Sequence, residues 1–177
     1  MTGESERRLL LQIAREAIAA HVSGAAPPAI ALELDRRSGA FVTLHKRGEL
    51  RGCIGHIEAD DSIGRVVERC AVAASSTDPR FPAVSPAEVA ELSIEVSLLG
   101  PLEPISGPEA IEIGRHGLVV EKGWHRGLLL PQVATEWKWD AQQFLAQTCR
   151  KAGLAHDAWR EGAKLWRFEA EVFGEGG

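Results

Sequence analysis

The chain has no tyrosine and no asparagine among its 177 residues, one methionine and only three cysteines. Without tyrosine there is no phenolic general acid. Without asparagine there is no N-glycosylation acceptor, and no asparagine to orient a histidine as in papain-like cysteine proteases. Three cysteines are an odd number with no close pair, which argues against a disulfide framework and against a four-ligand zinc site. No apolar run approaches the ~18 residues of a membrane span. The stretch MTGESERRLLLQIAREAIAAHV is interrupted by Glu4, Glu6, Arg7, Arg8, Arg15 and Glu16, so it does not read as a signal peptide. These absences point to a cytoplasmic protein with reduced thiols and no membrane association.

Basic excess is also missing. Lys and Arg number 20 against 25 Asp and Glu, a net charge of −5, where nucleic-acid binders usually carry a basic surplus or stripe. The six histidines, at 21, 45, 56, 116, 125 and 156, show no ligand spacing. Neither a Walker loop nor a G-x-G-x-x-G run is present, so no metal and no cofactor are expected. What is there is average for a globular chain: 45% hydrophobic and 25% charged residues. The length suits one domain, with a core over roughly residues 5–173 and a frayed glycine-rich tail.

Apolar spacing at Leu10, Ile13, Ala14, Ala17 and Ile18 predicts a helix over 4–21, ended by Gly24, Pro27 and Pro28. Strands are expected at 40–45 and 50–57 around a Lys46–Glu49 turn. A helix over 62–76, with Ser62 as N-cap, precedes a proline-broken loop at 78–82. Ser85-Pro86-Ala87-Glu88 opens a short helix. Leu92, Ile94, Val96 and Leu98 alternate with polar residues as a half-buried strand does. Residues 100–108 read as an irregular connection, and 117–121 with 127–130 as a second hairpin. Asp140 caps a helix over 140–152 that Gly153 ends, and 165–173 forms a closing strand. Strands arriving as hairpins favour an α+β fold with a mostly antiparallel sheet and flanking helices.

The cysteines sort by position. Cys70 and Cys149 fall on the apolar stripes of their helices and read as small buried hydrophobes. Cys53 lies in Arg51-Gly52-Cys53-Ile54-Gly55, on the same strand face as Arg51 and opposite Ile54. Glycines on both sides suit a strand that something approaches closely, and an adjacent arginine favours a thiolate. The alternative is a core cysteine in a glycine-rich bulge, with Arg51 paired to a surface carboxylate.

Several separated motifs then run in order: Leu50 to Gly55, Asp78-Pro79-Arg80-Phe81-Pro82, Ile94-Glu95-Val96-Ser97, Gly114 to Gly117, Gly127 to Ala134, and Phe144-Leu145 with Cys149 and Lys151 to Leu154. Together they resemble the AMMECR-type domain family, also called AmmeMemoRadiSam system protein A, over roughly residues 5–173. The resemblance implies an α+β domain with a larger and a smaller lobe and a cleft between them. It also implies association with a Memo-like protein and a radical-SAM protein. It implies no particular reaction. One departure is local: Lys138 stands before Trp139 where the family usually has glycine.

Other residues have two readings each. His116 is a candidate base for Cys53, or a histidine bonded to a turn. Gln132 and Glu136 share a face if their segment is helical; they line a cleft or are simply exposed. Asp78 and Arg80 either close their loop or bind an anion. Glu95 is a substrate contact or part of a solvated face. Trp137, Trp139, Trp159 and Trp166 are expected near helix ends, filling junctions. Two functions follow. One is a thiol-dependent enzyme or enzyme component using Cys53, His116 and Glu136, with Arg51, Gly52, Gly55, Asp78, Arg80, Glu95 and Gln132 contacting substrate. The other is a non-catalytic binding or adaptor module for a small molecule, a peptide or the Memo-like partner.

Overall fold

The structure is a computed structural model and describes residues 3–26, 34 and 36–175. Two compact units are present, Met1–Leu99 with Glu171–Gly177, and Gly100–Ala170. The expected helix stop at Pro27 and Pro28 lies outside the described residues.

In the first unit, α1 (Glu4–Val22) buries the five residues its spacing nominated. Strands β1 (Ala40–Lys46) and β2 (Glu49–His56) form a hairpin. Its two central residues, Arg47 (φ 53) and Gly48 (φ 82), are both left-handed, as the favoured two-residue hairpin turn requires. On its other edge β1 pairs antiparallel with β3 (Leu92–Leu99). Helix α2 (Ile63–Ser76) and α1 cover one face of these three strands. Val42, Leu44, Ile94, Val96 and Leu98 meet Leu10, Ile13, Ile18, Val66, Val67 and Ala71 there. Strand alternation sends the intervening residues to the opposite face.

Three expectations change in this unit. Ser62 occupies the N-cap position of α2, but its hydroxyl makes no capping bond. The helix instead satisfies its first N–H through the Arg36 carbonyl at 2.7 Å, because the chain bridges back at Arg37. The tail is not frayed at Glu175. Its carboxylate accepts from Arg15 Nε (2.6 Å), Arg15 Nη2 (2.7 Å) and Ile94 N (3.0 Å). The short helix from Ser85 is a 3-10 turn, Pro86–Glu91, closed by a Ser85–Glu88 capping box.

The second unit holds β4 (Glu103–Ile105), β5 (His116–Lys122), β6 (His125–Leu129) and residues 164–170 of β7 (Lys164–Gly174). Strand β5 pairs antiparallel with both β6 and β7, and β4 pairs antiparallel with β7. Strand β4 falls in the stretch expected to be irregular. Its central residue is Pro104, which a short edge strand tolerates and an interior one does not. Helices α3 (Pro131–Trp137) and α4 (Ala141–Lys151) supply Ala134, Phe144, Leu145 and Cys149 to a core with Leu118, Val120 and Leu165. Asp140 caps α4 as expected, with Gln143 returning the bond. Trp166 lies within β7 rather than at a helix end, and Trp137 is 67% exposed, stacked on Trp139 at 6.1 Å.

Lys138 terminates α3 in the left-handed region, φ 56 and ψ 40. That conformation is why glycine suits the position: a side chain there costs about 1 kcal/mol. Lys138→Gly should therefore raise the unfolding free energy by about 1 kcal/mol, read as a shifted urea midpoint at unchanged slope. A midpoint that falls or stays put would contradict this account of the loop.

Candidate functional site

The face of the first unit opposite its helices carries the Cys53 motif. Cys53, Thr43 and Glu95 form one cross-strand row over β2, β1 and β3. Cys53 Sγ lies 3.2 Å from Thr43 Oγ1, within hydrogen-bonding reach. Thr43 is buried, whereas Cys53 and Glu95 are half-buried. Ser97, two residues along the same face of β3, is fully buried, and its hydroxyl has no hydrogen-bond partner.

The main chain of Cys53 is gripped from the 78–82 loop. Its N–H donates to Asp78 Oδ2 at 3.0 Å, and its carbonyl accepts from Arg80 Nη2 at 3.5 Å. Asp78 also accepts from Arg80 N (3.1 Å), Nε (3.0 Å) and Nη2 (2.7 Å), with its side chain only 2% exposed. The Arg80 guanidinium, helped by the N–H groups of Cys53 and Arg80, holds the Asp78 carboxyl well below the usual carboxylate range. In return Asp78 raises the Arg80 pKa. Arg80 also lies over the Phe81 ring at 5.3 Å.

Arg51 is paired rather than free. Its Nε and Nη2 donate to Glu88 at 3.0 and 3.2 Å, and its Nη1 donates to the Pro82 carbonyl at 2.8 Å. The Arg51 pairing is the largest reason Glu88 titrates at about 2. The two motif glycines have packing reasons. A Cβ on Gly52 would stand 2.1 Å from the Ala74 carbonyl oxygen of α2, and one on Gly55 would meet the Phe41 ring at 2.3 Å.

Cys70 and Cys149 are buried thiols, as their helical spacing indicates. Burial pushes Cys70 up to about 11 and raises Cys149 as well.

The remaining sequence candidates belong to the second unit. His116 opens β5 with its ring buried, and its Nδ1 accepts the Glu112 N–H at 2.9 Å. The neutral ring thus carries its proton on Nε2. Burial first, then the Arg167 and Arg115 cations, lowers its pKa. Gln132 is half-buried on the first turn of α3, and Glu136 is exposed one turn later. The structure therefore brings Arg51, Gly52, Cys53, Gly55, Asp78, Arg80 and Glu95 together in one unit, and places His116, Gln132 and Glu136 in the other.

Thr43, which pairs with Cys53 across the hairpin, and Glu88, which pairs with Arg51, were not among the sequence candidates. Thr43 had one signal, a polar residue inside the otherwise apolar run from Ala40 to Leu44. Among the described residues no three His, Cys, Asp or Glu side chains cluster as a metal site needs. No helix among them is long and apolar enough to cross a membrane.

This architecture, antiparallel strands with packed helices and a glycine-flanked cysteine held by an Asp–Arg loop, defines an α+β class of protein. The AMMECR1 family model matches residues 11–173, and the chain belongs to that family. It is 45% identical to a protein of Methanothermobacter thermautotrophicus, over 97% of this chain and 95% of the relative. It is likewise 45% identical to a protein of Thermococcus gammatolerans, over 94% of this chain and 88% of that one. The crystal structure of an uncharacterized protein from Pyrococcus horikoshii superposes with a TM-score of 0.87 at 42% identity, covering 94% of this chain and 90% of the other.

Proposed function

We propose that the protein is a thiol-dependent enzyme or enzyme component in which Cys53 is the reacting group. One observation carries this reading: Cys53 is held on three sides. Asp78 fixes its N–H, Arg80 approaches its carbonyl, and Thr43 meets its sulfur at 3.2 Å. Its half-buried position separates it from Cys70 and Cys149, which are buried within the two apolar cores. Cys53 is half-buried, and the thiolate form of a cysteine is the one that attacks electrophiles or exchanges electrons. A reducing cytoplasmic setting suits such a thiol.

Alkylation kinetics test this directly. Under native conditions Cys53 should react with iodoacetamide more than about 100-fold faster than Cys70 and Cys149, and faster than a free cysteine at the same pH. Equal rates for all three residues would remove the reading. Cys53→Ser should keep the fold but fail to restore the metabolite profile of a deletion strain.

A second reading has its own observation. Arg51 and Asp78, charged groups beside the cysteine, are both spent on internal pairs with Glu88 and Arg80. That favours a binding or adaptor module whose cysteine is a fixture of the surface. The partners the family resemblance suggests are Memo-like and radical-SAM proteins. Co-purification of either one, equally with Cys53 and with Cys53→Ser, would favour this reading over the enzymatic one.

A further inference from the structure

The lone pair of His116 is committed to the turn that leads into β5. The ring is 4% exposed and is bonded in both directions to Glu112. The Glu112 N–H donates to His116 Nδ1 at 2.9 Å. The Glu112 carbonyl accepts from His116 N at 3.0 Å and from Arg115 N at 3.2 Å. These three bonds close the turn over residues 112–116, and Gly114 completes it at φ 91. A main-chain N–H can only donate, so Nδ1 must keep its lone pair while the turn is shut. An imidazolium carries a proton on both nitrogens and has no lone pair to offer. The closed turn and the charged ring therefore exclude each other.

The surroundings act in the same sense. Burial first, then the cations of Arg167 on β7 and Arg115 on the turn, disfavours a charged ring. Two carboxylates oppose them, Glu112 on the turn and Glu169, which faces His116 across β5 and β7. Both are already paired with Arg115. That pairing holds Glu169 below the ordinary carboxylate range, so it keeps its charge in mild acid. Glu103 of β4 stands 3.4 Å from Arg167 Nε. On the two helices packed against β5, the charged side chains are Glu136 of α3 and Arg150 and Lys151 of α4, all exposed. Strand β6 sets His125 and Arg126 against the far end of β5.

We propose that this turn is an acid-operated switch: a proton taken from solvent at His116 Nδ1 removes the acceptor of the Glu112 N–H, opens the turn and frees Arg115 from Glu112 and Glu169. The device lies in the second unit and does not depend on any chemistry at Cys53. Its direction is fixed. In the open turn the ring has the ordinary histidine value of about 6.5, and in the closed turn its value is lower. The closed form is therefore fully favoured above about pH 6.5, and opening gains as pH falls below it.

Amide hydrogen exchange of the full-length protein between pH 7.5 and 5.5, corrected for the intrinsic rate at each pH, tests the proposal. Protection at Glu112 should fall several-fold, toward a ceiling of about tenfold set by the ordinary histidine value. Leu118, in the middle of β5, should not fall with it. The ring nitrogen signals should show Nδ1 unprotonated at pH 7.5, and the ring should titrate below about pH 6.5. His116→Asn puts a carbonyl oxygen where Nδ1 stands, so it should keep the Glu112 bond and abolish the pH dependence. Should that variant fail to fold, the amide and ring signals of the parent still decide. Constant protection at Glu112, an equal fall at Leu118, a proton on Nδ1 at pH 7.5, or a parental fall in folded His116→Asn would overturn the proposal.

Discussion

Gly52→Ala should destabilise the protein by about 3 kcal/mol or more, lowering its melting midpoint by about 10 °C. The added methyl group would stand 2.1 Å from the Ala74 carbonyl oxygen and 3.1 Å from its carbon. No rotamer relieves this contact, because a Cβ has none and the obstacle is main chain. Either β2 leaves its place beside Thr43 and Leu44, or α2 lifts. Lifting α2 opens the packing of Val66, Val67, Cys70, Ala71 and Ala74 against the sheet. Gly48→Ala is the matched control. Gly48 lies in the same hairpin at φ 82 with nothing within 4 Å of the added carbon, so only backbone strain of about 1 kcal/mol is expected. Urea denaturation of the two variants, followed by circular dichroism, gives the comparison. Equal losses would mean that α2 yields freely and that the close approach at Gly52 is not what keeps the position small.

The periodic parts of the chain were readable in advance because each rests on local spacing. Leu10 to Ile18 on α1, Ile63 to Ala74 on α2 and Phe144 to Cys149 on α4 repeat every three or four residues, and all are buried. The alternation of β3 was equally plain. The Cys53 face was half readable. Its glycines signalled a close approach, but what approaches is α2 and the Phe41 ring. Sequence spacing carries no record of which body comes near. Thr43 shows a second limit. Counting back from the Lys46–Glu49 turn pairs Thr43 with Gly52. A register shift between Leu44 and His45 moves the partner to Cys53. One extra residue in a strand changes which side chains meet across it, and no local propensity announces it. The pairs Arg51–Glu88 and Arg15–Glu175 are likewise invisible, since 37 and 160 positions separate their members. Strand β4 was missed for another reason: its three residues are too few for alternation to show.

Asp78→Ala should cost about 3 kcal/mol at neutral pH and should also change the reactivity of Cys53. The energy follows from what the carboxylate holds: three donors of Arg80 and the Cys53 N–H, at a side chain 2% exposed. Removing one member of such a pair leaves the other cation and a main-chain donor without their acceptor. Asp78→Asn retains the size and one oxygen but loses the charge, so it should fall between the parent and Asp78→Ala. The pH dependence has a definite sign. The folded Asp78 pKa lies below its unfolded value, so its contribution is present above the ordinary aspartate range and is lost as pH falls through the depressed folded value. Glu88, at about 2 when folded, acts in the same direction. Stability of the parent should therefore decline between about pH 5 and pH 2. The decline should be shallower in Asp78→Asn, which no longer titrates there. The thiol gives the second readout. Asp78 is the group that ties Cys53 N to the Arg80 loop, so its loss should alter the iodoacetamide rate at Cys53 and leave the buried Cys70 and Cys149 slow. A variant that is destabilised yet alkylates at the parental rate while folded would show that the loop supports the fold without governing the thiol.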